Sequence, residues 1–167
     1  YDAEVLSQAL DYFGAHISVI TDLNFIGKTD SKIEKIFRDK KMVNLRVIPY
    51  VEHKKAMEYL ARSVALLLVV PEGKNVNEPI PGKLFEYLAS GRKIIALGPK
   101  DGDVAEILEK TNGGRMFGKN DSEQLGKYLI SINDDLRNGI YESNPEGIEE
   151  YTRQNLAGKI AGILNSF

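Results

Sequence analysis

The stretch that decides the fold is Val64-Ala-Leu-Leu-Leu-Val-Val70, followed by Leu84-Phe-Glu-Tyr-Leu-Ala-Ser90 and Lys93-Ile-Ile-Ala-Leu-Gly98. The first segment is apolar at every position, which is typical of a parallel strand covered on both faces. The second segment has apolar residues at helical spacing and ends before Gly91, where a left-handed C-terminal cap is expected. The third segment returns to a strand pattern. This strand–helix–strand order predicts a βαβ unit and therefore a parallel sheet.

The same alternation extends over the whole chain. Helices are predicted at residues 2–16, 31–41, 54–63, 103–110, 121–136 and 147–164, and further strands at residues 23–26, 45–51 and 115–117. Asp103 and Glu106 have the spacing of a capping box, and Asp121 is predicted to cap the helix after it. We expect one α/β domain over residues 1–167, Rossmann-like, with helices on both faces of a parallel sheet. Such a domain normally opens with a buried strand, so the opening helix indicates that the first strand is missing and the chain is a fragment.

Composition excludes several functional classes. The 22 Lys and Arg residues balance 24 Asp and Glu residues, which argues against a nucleic-acid interface, because such an interface needs a clustered basic excess. The absence of Cys, with only two His, argues against disulfides and a structural zinc site. The apolar run at residues 64–70 is far shorter than the ~20 residues that span a bilayer. We therefore expect a cytoplasmic protein that uses no metal and no cofactor.

The candidate site lies in the loops that follow the strands, because ligands of an open parallel sheet bind beyond the carboxyl ends of its strands. These loops are residues 27–30, 50–53, 71–82 and 98–103, and the third is the longest. It ends in Pro81-Gly82 at a helix start, where free amides favour a phosphate. Lys83 adds a positive charge, and Glu86 is placed to accept hydrogen bonds from sugar hydroxyls. The same residues also fit an ordinary helix start, with Lys83 and Glu86 as a surface ion pair.

A longer motif narrows the interpretation. Glu78-Pro-Ile-Pro-Gly-Lys-Leu-Phe-Glu86 places seven residues between two glutamates, and Tyr87-Leu-Ala-Ser-Gly-Arg-Lys-Ile-Ile-Ala96 follows it. This segment resembles the Glu-x7-Glu segment in the nucleotide-sugar-binding half of family 4 retaining glycosyltransferases, which have the GT-B fold. Arg46-Val-Ile-Pro-Tyr-Val-Glu-His-Lys-Lys-Ala-Met-Glu-Tyr-Leu60 resembles the base-binding strand, loop and helix of that half. The resemblance covers nearly the whole chain, and its subtype is similar to transferases that build bacterial surface polysaccharides.

The resemblance implies roles for individual residues. Glu78 is the expected catalytic residue, near the transferred sugar and the diphosphate, and Glu86 is expected to hold the ribose hydroxyls. The amides of Ile80, Gly82 and Lys83, near the helix start, are expected to face the sugar and the diphosphate. The backbone groups of Tyr50 and Val51, after an earlier strand, are expected to contact the base.

The resemblance also implies a reaction and partners. The intact enzyme would transfer a sugar from a nucleoside diphosphate sugar, such as a UDP-sugar, to an acceptor with retention of configuration, in the synthesis of surface polysaccharide or glycolipid. The acceptor would be bound by a preceding domain that is absent here, and any membrane contact, at the inner face, would be made through that domain. An Arg and a Lys for the diphosphate would also precede Tyr1, so the chain alone is expected to be inactive.

Two alternatives remain open from the sequence. One is a nucleotide-sugar epimerase with the same fold. The other is a non-catalytic interaction domain that keeps the fold and has lost the ligand. The family's usual Glu-Gly-Phe-Gly opening is Glu-Pro-Ile-Pro here, and Pro79 and Pro81 each remove an amide donor, which favours the second alternative.

Overall fold

The computed structural model describes residues 3–17, 19–71, 80–151 and 155. Strands and helices alternate along the chain, which confirms the α/β class. In chain order they are α1 (Ala3–His16), β1 (Thr21–Ile26), α2 (Ser31–Arg38), β2 (Val43–Ile48), α3 (His53–Arg62), β3 (Ala65–Val69), α4 (Lys83–Ala89), β4 (Lys93–Leu97), α5 (Asp103–Thr111), β5 (Gly114–Phe117), α6 (Ser122–Arg137) and a short 3₁₀ helix, Ile148–Tyr151.

The strands form two small parallel sheets. β1 pairs with β2, with Thr21 opposite Val43 and Ile26 opposite Ile48. β4 lies between β3 and β5 and pairs in parallel with both. β1 and β3 are not hydrogen-bonded to each other. The parallel arrangement is therefore confirmed, but the strands form two sheets rather than one.

Helices cover both faces of the strands, as a Rossmann-like fold requires. On one face, α1 and α6 pack together with Phe37 of α2 over side chains from every strand. On the other face, α4 and α5 pack over β3 and β4. The stripe predicted for α1 is confirmed, since Leu6, Leu10 and Phe13 are all buried.

The contact between α1 and α6 depends on a glycine. A Cβ added at Gly126 would lie 2.5 Å from Cδ1 and 3.0 Å from Cβ of Tyr12. Because the second of these atoms is fixed to the backbone of α1, the helices could accept a larger residue only by moving apart. Gly126 is itself buried, so this close approach positions α1 over the sheet.

Several predicted boundaries differ from the structure for local reasons. Helix α2 ends at Arg38 rather than at residue 41, because the amide of Lys40 donates to the carbonyl of Phe37 and the chain turns into β2. Strand β2 ends at Ile48, directly before Pro49, which carries no amide hydrogen. Of the helix predicted at residues 147–164, the structure describes only residues 147–151 and 155, and the rest lies outside the described residues.

Of the two predicted N-terminal caps, one is wrong and the other is right in position only. The residue that caps α5 is Gly102, in an extended conformation, so Asp103 already lies inside the helix and Glu106 pairs with Lys110 at 2.7 Å instead. Asp121 is the N-terminal cap residue of α6, as predicted, but its side chain makes no capping hydrogen bond. The predicted C-terminal cap at Gly91 is confirmed by its φ of +68°.

Candidate functional site

After β1 and after β3, the chain continues on opposite faces of the strands. From β1 it passes through α2, whose Phe37 packs with α1 and α6, to β2. From β3 it passes through α4, whose Leu84 and Leu88 pack on the opposite face, to β4. In open parallel sheets the crevice between two such strands is where ligands bind. By this rule, the loops after β1 and β3 are where a ligand is expected.

The loop after β1 is held from both sides. The amide of Gly27 donates to the carbonyl of Ile48 at 2.9 Å, which extends the β1–β2 pairing by one residue. At the other end, the Asp30 carboxylate accepts from the amide of Lys32 at 2.8 Å and caps α2. Asp30 is therefore committed to the helix, and the chain between these anchors presents Lys28 and Thr29.

The loop after β2 contributes an exposed aromatic ring. Tyr50 is 86% exposed, and Val51 is half-buried just before α3 begins at His53. The sequence predicted only backbone roles for Tyr50 and Val51. An exposed ring at the carboxyl edge of the sheet is also a surface on which a planar base can stack.

The loop after β3 is described only in part. Residues 72–79 lie outside the described residues, and these include Glu78, the predicted catalytic residue. The description resumes at Ile80, which is half-buried and packs against the core beneath α4 and α5. Ile80 thus anchors the end of the loop directly before α4.

The start of α4 presents free amide groups. The amides of Leu84 and Phe85 donate to the carbonyls of Pro81 and Gly82, at 2.9 and 3.2 Å. Those of Gly82 and Lys83 have no acceptor among the described residues. Gly82 and Lys83 are both exposed, so a ligand can approach this part of the backbone.

Lys83 and Glu86 are exposed and do not pair with each other. Neither side chain has a hydrogen bond or ion pair within the part of the chain that the structure describes, so the surface pair proposed as an alternative is not formed. Glu86 lies away from the buried stripe of α4, where Leu84 and Leu88 are almost fully inaccessible. Ala89, although apolar, is exposed.

Burial and a neighbouring charge both change the pKa of Tyr87, the residue after Glu86. Burial of Tyr87, and then the negative charge of Glu86, raise the pKa of the Tyr87 hydroxyl above its usual value. The phenol therefore stays protonated at neutral pH and is not a base. The described start of α4 thus offers one positive group, one negative group and free amides, but no pair of a nucleophile and a base.

A further charged pair at this edge was missed by the sequence analysis. Lys100, after β4, pairs with Asp121 at 3.0 Å, and the Asp121 carboxylate also accepts from the amide of Gly118 at 2.8 Å. Burial opposes ionisation, but the amide and the ammonium together hold the pKa of Asp121 below its usual value. Lys100 and Asp121 are 21 positions apart in sequence, so no local pattern indicates their contact.

Among the described residues, no group of His, Cys, Asp and Glu side chains is arranged to hold a metal ion. No described helix is both long and apolar enough to cross a membrane.

Comparisons with known proteins add no assignment. No protein-family model matches the sequence, and no curated protein is significantly similar to it. Geometry and residue chemistry therefore carry the functional argument.

Proposed function

We propose that this chain binds a nucleoside diphosphate sugar and forms the donor-binding half of a retaining glycosyltransferase of the GT-B type. The observation that carries the proposal is that Lys83 and Glu86, at the start of α4, are exposed and have no ion-pair or hydrogen-bond partner among the described residues. Charges without a protein partner are available to a ligand, whereas charges on an ordinary surface helix commonly pair with each other.

The two charges match two parts of one ligand. A diphosphate is an anion that accepts hydrogen bonds, and the amides of Gly82 and Lys83, with the Lys83 ammonium, are donors. A ribose carries two neighbouring hydroxyls that donate, and the Glu86 carboxylate is an acceptor only. The ligand class that combines an anion with hydroxyl pairs includes the nucleoside diphosphate sugars.

The base would lie toward the loop after β2. There the exposed ring of Tyr50 supplies a stacking surface, and the backbone of Tyr50 and Val51 supplies hydrogen-bonding groups. Stacking tolerates every base, so this part of the site gives affinity without naming the nucleotide.

In the intact enzyme, catalysis would rest on stabilising the departing diphosphate, with Glu78 near the transferred sugar. The acceptor would be held by a second domain, and sugar transfer needs both partners in a closed, water-free cleft. We therefore propose that the intact protein acts in surface polysaccharide or glycolipid synthesis in the cytoplasm, and that this chain by itself binds without turnover.

One observation favours a second function, a non-catalytic interaction domain. Pro81 has no amide hydrogen, so it contributes no donor to a ligand at the helix start. Its carbonyl already accepts a hydrogen bond from the amide of Leu84. Two prolines in the loop reduce the number of amides that can face a sugar. No observation favours the epimerase.

The test is calorimetric titration of the chain with UDP, GDP and ADP. We expect one nucleotide to bind, and Glu86→Gln to weaken its binding by about tenfold or more, because a charge-assisted hydrogen bond is lost. Glu109→Gln is the matched control, since Glu109 is an exposed glutamate on α5. Equal binding by the two variants would contradict the assigned role of Glu86, and no binding of any nucleotide would favour the interaction domain.

A further inference from the structure

We infer that Asn138-Gly139 is a site of self-modification, at which the folded chain converts an asparagine to aspartate or isoaspartate and so loosens the segment that follows it. The chemistry is intramolecular, needs only water and does not depend on whether the chain binds a nucleotide. It is carried by a contrast between two pairs of the same sequence, Asn138-Gly139 and Asn112-Gly113, which the fold holds in different ways.

The reacting groups are the side-chain amide of Asn138 and the backbone nitrogen of Gly139. The nitrogen loses its proton and attacks Cγ of Asn138. A C–N bond forms, the Cγ–Nδ2 bond breaks, and ammonia leaves with a proton in place of the one that Gly139 lost. Glycine favours this closure because it has no Cβ to obstruct the approach of its nitrogen.

One water molecule then opens the cyclic imide in either of two ways. Cleavage of the new C–N bond leaves an aspartate at position 138 in an unchanged main chain. Cleavage of the original peptide C–N bond leaves an isoaspartate, whose main chain runs through Cγ and is one carbon longer. Both products carry a carboxylate where the chain had a neutral amide.

The backbone at Asn138 can open at low cost. Asn138 follows the last residue of α6, and both Asn138 and Gly139 are exposed. At a ψ of 6° the Gly139 nitrogen is turned away from the Asn138 side chain, so ring closure requires the peptide plane to rotate. That rotation breaks the hydrogen bond from the Gly139 amide to the carbonyl of Leu136, at 3.1 Å, in the final turn of the helix. Such terminal bonds open most readily.

The second pair is held by the sheet and the core. Asn112 is exposed after α5, and its ψ of 25° also requires a rotation before the ring can close, but Gly113 is buried. The Gly113 carbonyl accepts from the amide of Ile94 in β4 at 3.0 Å. A Cβ added at Gly113 would lie 2.3 Å from Cδ2 of Leu88, so its backbone is packed against the core. Rotation there breaks sheet pairing, and we expect Asn112 to be protected.

The segment after Asn138 has contacts that the modification can disturb. Residues 139–143, here called the strap, run past the start of β4. The amide of Ser143 donates to the carbonyl of Gly91 at 2.8 Å. The guanidinium of Arg92 donates to the carbonyl of Tyr141 at 3.0 Å, and its other terminal nitrogen donates to the last turn of α3 at 2.7 Å. The strap therefore joins the end of α6 to β4 and α3.

Conversion of Asn138 acts on the strap through length and charge. The amide of Ile140 donates to the carbonyl of Asp135 at 2.8 Å, which fixes the point where the strap leaves α6. An isoaspartate adds one carbon to the main chain inside this turn, so the strap is displaced from its partners. The new carboxylate also lies at the carboxyl end of α6, where the helix dipole disfavours negative charge. We expect the contact of Ser143 to weaken.

Peptide mapping by mass spectrometry tests the site on the unaltered chain. The chain is incubated at mildly alkaline pH, which favours loss of the amide proton, and is sampled over time in buffer and in urea. For each pair, the folded rate of conversion is divided by the unfolded rate, which removes the influence of neighbouring sequence. We expect this ratio to be about tenfold or more higher at Asn138 than at Asn112. Equal ratios, or a higher ratio at Asn112, would overturn the assignment.

Amide hydrogen exchange tests the effect on the strap. We expect Ser143 to exchange about fivefold or more faster in the incubated chain that carries isoaspartate than in the fresh chain. Asn138→Ser is the matched control, because serine has no side-chain amide and cannot form the imide. Its Ser143 should exchange alike before and after incubation. Unchanged exchange at Ser143 in the modified chain, or equal acceleration in Asn138→Ser, would overturn the loosening of the strap by this site.

Discussion

The β3–β4–β5 side and the β1–β2 side of the molecule use the same strand–helix repeat with different burial. On the first side, α4 and α5 cover one face of the sheet and α1 and α6 cover the other. On the second side, Asp22 and Asn24 of β1 are exposed opposite the core face, and α3 contributes no fully buried residue. The difference shows that the repeat gives an element its shape, while burial on both faces gives it stability.

The largest expected effect compares two leucines, one from each side. Leu108 of α5 is 1% exposed, whereas Leu45 of β2 is half-buried. We expect Leu108→Ala to lower the free energy of unfolding by about 3–4 kcal/mol and Leu45→Ala by about 1–2 kcal/mol, because the lost contacts and the cavity scale with burial. Urea denaturation measures both. Equal costs would contradict the unequal burial of the two sides.

The next effect concerns the helix pair that covers both sides. Gly126→Ala places a methyl group against Tyr12, and we expect a cost of about 1–3 kcal/mol, partly offset by the better helix propensity of Ala. Gly102→Ala is the control, because an added Cβ there meets nothing within 4 Å. Thermal unfolding of the two variants compares them. A Gly126→Ala variant as stable as the control would show that α1 and α6 are not in close contact.

A smaller effect tests the charged pair on the better-buried side. Since the pKa of Asp121 is lowered in the folded state, its contribution to stability is present above its unfolded pKa and is lost as pH falls through its folded pKa. We expect Asp121→Asn to cost about 1 kcal/mol at pH 7, and the difference from the unmodified chain to shrink below about pH 4. Urea denaturation at pH 7 and pH 3 checks this. A stability difference that does not change with pH would contradict a contribution from the ionised Asp121 carboxylate.

Elements buried on both sides could be predicted from sequence. The apolar segments at residues 64–70 and 93–98 match β3 and β4 closely, because a continuous apolar run has few other uses. The cap of α5 could not be predicted. Asp103 and Glu106 have the spacing of a capping box, but the residue that caps α5 is Gly102, one residue earlier than that box requires. Glycine adopts many backbone conformations, so its presence does not indicate where the helix begins.

In the candidate site, too, local signals could be predicted from sequence and contacts between distant residues could not. The start of α4, with Gly82, Lys83 and Glu86, was located because Pro-Gly before an apolar repeat is a local signal. The contact between Lys100 and Asp121 was missed because it joins two strand ends that only the folded sheet brings together. The division of the strands into two sheets was not predicted either, since an apolar strand has the same sequence pattern whether or not its edge is paired.

Binding of a nucleoside diphosphate at the carboxyl edge beside α4 is tested most directly by mapping amide chemical shifts of the chain during titration with UDP, GDP and ADP. We expect one nucleotide to shift the amides of Gly82, Lys83, Tyr50 and Val51 together, and Glu86→Gln to reduce those shifts at equal concentration. Shifts confined to the opposite, amino-terminal edge of the strands, or none with any of the three nucleotides, would contradict it.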